Sequence, residues 1–138
     1  MPKANHLTHA LHNVKVCNYL HKKEEFGDWI IVTAFYAALH FVNHVIFHFT
    51  IMKADKSIQI DSVEDYIHHL RVINSKSKHA ILTDLVVTYH PSIAVAYSRL
   101  KDLSFQARYQ NYQFSRAITD FAKAQMDEIK NYCIANNK

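Results

Sequence analysis

Gly27 is the only glycine in a chain of 138 residues, and the chain has just two prolines. Tight turns between strands need positive φ, and all-β folds spend glycine on them repeatedly. A chain with one glycine has few such turns, so long helices with short connections are what it can build. The length suits one domain, spanning residues 1–138, with room for a sizeable core. A hydrophobic content of 49%, including 8 Tyr and 8 Phe, indicates a globular chain rather than a disordered one. The expected class is all-α, an antiparallel bundle of about five to six helices, with no strand, repeat or domain boundary.

Apolar spacing divides the chain accordingly. Leu7, Leu11, Val14, Cys17 and Leu20 mark a first helix over about residues 5–24. His6, His9 and His12 step along it by three and are expected to face solvent. Gly27 is read as ending that helix and Asp28 as capping the next. The second helix, DWIIVTAFYAALHFVNHVIFHF, runs from Trp29 to about Ile51 and is apolar on nearly all sides. It is long enough to cross a bilayer, but Thr33, Tyr36, His40, Asn43, His44 and His48 recur along it, which suits the central helix of a bundle. No membrane association is expected. MKADKSIQID reads as a surface loop, and Ser62 with Asp65 as a capping box opening a third helix. That helix fades near residues 74–77, and a fourth carries Ile81, Leu82, Leu85, Val86 and Tyr89. Pro91 suits the first turn of a fifth, with Ile93, Ala96, Tyr97, Leu100, Leu103 and Ala107 inward. Tyr97, Lys101, Ser104 and Arg108 share another of its faces. A sixth helix offers Ile118, Phe121, Ala122, Gln125, Ile129, Tyr132 and Cys133 as its inner stripe.

The chemistry is less directive. His40, His44 and His48 are four apart, a spacing that lets two imidazoles share a metal on one helix face. No carboxylate follows Asp28 in that helix and HExxH is absent, so no metal or cofactor is expected and the histidines are read as polar packing groups. Cys17 and Cys133 read as reduced core thiols. The chain lacks a Gly-rich phosphate loop, a GxSxG elbow and a helix-turn-helix signature. The formal charge of +4 is mildly basic and compatible with an anionic partner. What stands out are polar and cationic side chains on otherwise apolar helices: Tyr36, His40, His68, Arg71, Tyr97, Arg108 and Tyr109. Arginine forks bind phosphate and tyrosines stack on bases, so a groove gathering them would suit RNA or a nucleotide. Structural contacts with Asp65, Asp84, Asp102 or helix ends are the competing role for the two arginines.

Three segments carry a family resemblance, in order, across roughly residues 25–135. DWIIVTAFYAALHFVN resembles the second helix of HEPN-like proteins, small helical nucleotide-binding proteins. HHLRVI, with His68 and Arg71, is similar to an H-x-x-R found in a bacterial branch, and YSRLKDLSFQARYQNY resembles a later helix ending in Ala-Arg-Tyr. The N-terminal MPKANHLTHALHN is polar and lacks the apolar segment of a signal peptide, so a cytoplasmic protein is expected. The resemblance implies a homodimer with the site in a cleft, and a role in toxin–antitoxin or defence systems with an antitoxin-type protein partner. Ribonucleases of that family pair an Arg with a His across four to six intervening residues. Arg108 is followed by Tyr109, Gln110, Asn111, Tyr112, Gln113 and Phe114, with no His. The expectation is therefore an RNA- or nucleotide-binding protein without the usual nuclease motif. The alternatives are a variant metal-independent ribonuclease using His68, Arg71 and Arg108, and a non-catalytic helical protein-interaction adaptor.

Overall fold

The computed structural model describes residues 3–70 and 77–137, with side chains described from Asn5 onward. It contains α1 (Lys3–Lys23), α2 (Gly27–Ile46), β1 (Phe49–Lys53), β2 (Lys56–Ile60), α3 (Val63–Leu70), α4 (Lys78–Tyr89), a 3-10 turn at Pro91–Ile93, α5 (Ala94–Tyr109) and α6 (Arg116–Ala135). The protein is an all-α helical bundle with a two-stranded hairpin attached. The short link between α1 and α2 returns the chain antiparallel, and α2 packs most extensively on α1, then on α6 and α5. α2 has the length and apolar composition of a membrane span. Its burial is that of a core helix: Ile30, Ile31, Ala34, Phe35, Ala38, Phe41 and Val42 are all shielded by the surrounding helices.

Gly27 does a different job from the one expected. α1 stops at Lys23, and the left-handed residues of the turn are Glu24 (φ 57°) and Phe26 (φ 56°). Gly27 opens α2, where a Cβ would lie 3.2 Å from Thr119 Cγ2 and 3.5 Å from Phe114 Cβ. It is small so that the start of α2 can approach α6. Asp28 is not the N-cap; that position is Phe26, which makes no side-chain capping bond.

MKADKSIQID is not a loop. Phe49 to Lys53 pair antiparallel with Lys56 to Ile60, and Ala54 and Asp55 form the two-residue turn with φ 51° and 63°. Two positive φ values in a two-residue link match the primed turns whose twist suits strands, which normally recruit Asn-Gly. Alternation supplies the reason for the strands: Phe49 and Ile51 are half-buried, Ile58 is half-buried and Ile60 buried. Phe49 anchors the hairpin, its ring 5.9 Å from Phe47, 6.4 Å from Tyr66 and 5.7 Å from Tyr89. Consequently α2 ends at Ile46, five residues before its expected end. The Ser62 cap forms as expected: the Asp65 amide donates to Ser62 Oγ at 3.0 Å. The reciprocal bond comes from the Asp61 amide to Asp65 Oδ2 at 3.2 Å, one residue earlier than in a standard capping box.

The 3-10 turn and α5 bury the expected face, with Ile93 from the turn and Ala96, Tyr97, Leu100 and Ala107 from the helix inward. α6 is rotated from its expected setting. Thr119, Ala122, Met126, Ile129 and Cys133 are buried, while Ile118 and Phe121 are exposed. Cys17 and Cys133 are both free and fully buried, and burial pushes their thiols up to about 11 and about 12.

Candidate functional site

Arg108, in the last turn of α5, is held in place from two sides. Its Nε donates to the Ser104 carbonyl at 3.3 Å, and one terminal nitrogen donates to Tyr36 Oη, from α2, at 3.1 Å. The guanidinium lies over the Tyr36 ring at 5.7 Å and the Tyr109 ring at 5.2 Å. Among the described residues it pairs with no carboxylate, so its charge is not neutralised by Asp84 or Asp102. A guanidinium has five N–H donors, and the second terminal nitrogen carries no hydrogen bond among the described residues.

A cavity of about 280 Å³ opens beside it between α4 and α5, lined by Phe35, Ser77, His79, Ala80, Lys101, Asp102, Phe105 and Arg108. Helical spacing brings Lys101 and Arg108, seven apart, onto one face of α5. Lys101 is steadied by a bond from Nζ to Thr83 Oγ1 of α4 at 3.0 Å. The first turn of α4 forms the opposite wall, and Ser77 caps it by accepting from the Ala80 amide at 3.1 Å. His79 follows in that turn. Partial burial, then the charges of Arg108 and Lys101, hold its imidazole below the usual histidine range, so it is neutral near pH 7. Phe105, 50% exposed, forms the rim, and its ring meets that of Tyr109 at 5.1 Å. The arrangement offers two cations, a helix N-terminus, a neutral imidazole and an open aromatic edge. Those are the elements of a phosphate site with a flanking platform for a planar group.

The expected site residues are only partly brought together. Tyr36, Arg108 and Tyr109 meet. His40 sits one turn beyond Tyr36 but turns to α1: its Nδ1 lies 2.9 Å from His6 Nδ1, and its ring stacks on His9 at 5.1 Å. Thus His6 is buried rather than solvent-facing, correcting the expectation from sequence. Burial, then the charge of His40, lowers the His6 imidazole to about 4; burial, then His9, lowers His40. Tyr97 belongs to the core, not to a groove: it is fully buried, with its ring 5.8 Å from Phe35 and its hydroxyl without a hydrogen-bond partner among the described residues. Ser104 is buried as well. His68 lies on α3, edge-on to His69, and lines neither this cavity nor its neighbour. Arg71 lies outside the described residues.

The tandem histidines of α2 also separate. His44 is buried in the helix, whereas His48 lies past its end and pairs with Asp61. Among the described residues no three His, Cys, Asp or Glu side chains gather as a metal site. A second cavity, about 250 Å³, shares His79 and is lined also by His6, Leu39, Asn43, Ser62, Val63, Glu64, Lys78 and Leu82. Its rim is crossed by the Lys78–Glu64 ion pair at 3.0 Å. His79, Lys101 and Phe105 are the residues that sequence reasoning did not assign to the site. The seven-residue spacing of Lys101 and Arg108 was a usable signal for one of them, but nothing local ties His79 to a helix starting a different segment.

Comparison with known proteins finds no matching family model, no similar curated protein and no similar solved structure.

Proposed function

We propose that this protein binds RNA or a nucleotide, engaging phosphate through Arg108 and Lys101 in the cleft between α4 and α5, and that it acts as a HEPN-like homodimer without the usual nuclease motif. The observation that carries the reading is Arg108. A guanidinium fixed by Tyr36 and Ser104, carrying no carboxylate partner among the described residues, faces an open cavity beside a second cation. An arginine serving only the fold would be expected to meet a carboxylate or spread over solvent. The exposed aromatic rings of Phe105, Tyr109 and Tyr112 support a base platform or, in the adaptor reading, a face for an antitoxin-type partner.

The test is binding of a short single-stranded RNA by fluorescence anisotropy across a salt series. Arg108→Ala is expected to weaken binding roughly tenfold and to lower the salt slope by about one. Arg99→Ala, removing a cation that lies over Phe121 instead, is expected to change affinity less than about twofold. Equal losses for the two variants would overturn the site. Sedimentation of the free protein tests the dimer.

Cleavage remains a second reading, with a change of residue. His79, not His68, is the imidazole beside Arg108. A neutral imidazole there is suited to accept the proton of a ribose 2′-hydroxyl as its oxygen attacks phosphorus. A 2′,3′-cyclic phosphate forms, the bond to the 5′-oxygen breaks, and that oxygen leaves with a proton from solvent or the imidazolium. Cleavage without added metal that persists in His79→Ala would end this reading.

A further inference from the structure

We propose that the cleft between α4 and α5 recognises a terminal phosphate monoester, on a nucleotide or at the end of an RNA strand, in preference to an internal phosphodiester. This rests on the reading that the cleft binds RNA or a nucleotide at all, and it says which phosphate is taken.

Size is the first ground. At about 280 Å³ the cavity lies at the lower edge of ordinary small-molecule pockets, roughly 300–1,000 Å³. It has room for one phosphate and part of one nucleoside, and a strand end can enter where a continuing backbone must pass through.

Charge is the second. The groups facing the cavity are Lys101 and Arg108, the carboxylate of Asp102, and the imidazole of His79. From the neighbouring helices, Lys78 is turned to Glu64 and does not line it. A phosphodiester carries one negative charge, whereas a monoester carries about −1.5 to −2 near pH 7. Asp102 pairs with neither cation among the described residues but lowers the fixed charge lining the cavity from +2 to +1, so a monoester has negative charge to spare. His79 is the group able to answer it, because it sits beside both cations and gains a proton when an anion cancels their repulsion. A diester, matched by the fixed charges alone, gives His79 much less reason to do so.

Donor supply is the third. A terminal phosphate presents three outer oxygens, and a diester two. Around the cavity stand the edge of Arg108 that carries no bond among the described residues, the Nζ of Lys101, the His79 ring, and the first turn of α4, where the Ser77 side chain accepts from the Ala80 amide. The partial positive charge of the α4 N-terminus adds to them. Phe105 at the rim is placed to lie against the attached base.

The experiment uses the full chain and compares five probes: an eight-nucleotide RNA with a 5′-phosphate, the same RNA with a 3′-phosphate, the same RNA with hydroxyls at both ends, AMP and adenosine. A phosphorylated end, or AMP over adenosine, is expected to bind about tenfold or more tightly than its unphosphorylated counterpart, the size of one or two charge-assisted hydrogen bonds. Lys101→Ala and His79→Gln are expected to reduce that advantage to under about twofold with thermal unfolding unaltered. In wild type, the His79 ring resonances are expected to move toward the protonated form on adding AMP. Binding of AMP without RNA assigns the site to free nucleotides, and binding of phosphorylated RNA without AMP assigns it to strand ends; both support the proposal. Equal affinity for phosphorylated and unphosphorylated RNA overturns it while leaving RNA binding intact. No binding of any probe overturns both.

Discussion

Acid should loosen this bundle through one contact, His6 against His40. Both imidazoles lie where α1 crosses α2, with their Nδ1 atoms 2.9 Å apart, so one must donate to the other and the pair is satisfied only while at least one ring is neutral. Burial and the neighbouring rings lower His6 from 6.5 to about 4 in the fold. The unfolded chain keeps the ordinary value and therefore binds the proton more readily. The stability this contributes is fully present above pH 6.5 and drains away as pH falls from there toward 4. Linkage across that interval gives a loss of about 2 kcal/mol by pH 5 and about 3 kcal/mol once both states are protonated. His40, His79 and Glu64 are lowered too and push in the same direction, so a variant is needed to isolate His6. His6→Gln keeps a hydrogen-bonding group and removes the titration. Urea unfolding followed by circular dichroism at pH 7.5, 6 and 5 should show the wild type losing its advantage over the variant by about 2 kcal/mol. A gap between the two proteins that stays constant within about 0.5 kcal/mol over that range would refute the account.

Three further outcomes are expected. Tyr97→Phe removes a buried hydroxyl that has no hydrogen-bond partner among the described residues, and should raise stability by up to about 1 kcal/mol without touching RNA affinity, measured by melting and anisotropy. Asp55→Gly relieves a left-handed residue in the hairpin turn and should add about 0.5–1 kcal/mol in the same unfolding assay; a loss would mean the turn is not of the primed kind. Tyr36→Phe keeps the ring beneath Arg108 but deletes the bond that fixes it, so RNA affinity should fall roughly threefold to tenfold with little change in melting temperature.

Helices were legible because each carries its own period. The stripe of α5 could be read from Ile93 to Ala107 with little error, and glycine scarcity pointed to the class before any element was placed. The hairpin was hidden because its turn is Ala-Asp instead of Asn-Gly, and because its strands are only five residues each. Yet Phe49, Ile51, Ile58 and Ile60 do alternate, and that pattern was the available signal. α6 misled because Ile118 and Phe121 look like core and lie outside, while Thr119, tight against Gly27, lies inside. Of the site, Tyr36, Arg108 and Tyr109 were recoverable as residue types on facing helices. The placement of His79 was not, because it depends on where α4 docks after a connection whose geometry no local rule fixes. His40 went elsewhere for a related reason: its partners sit on α1, and the spacing of histidines on α2 says nothing about what crosses them.

The imidazole of His79 is a party wall. It lines both the cleft between α4 and α5 and the hollow reaching His6 and Asn43. A single ring cannot serve both tenants equally, so an occupant that draws it one way withdraws it from the other. Were both cavities to take an occupant, each would change the other's affinity by the same factor.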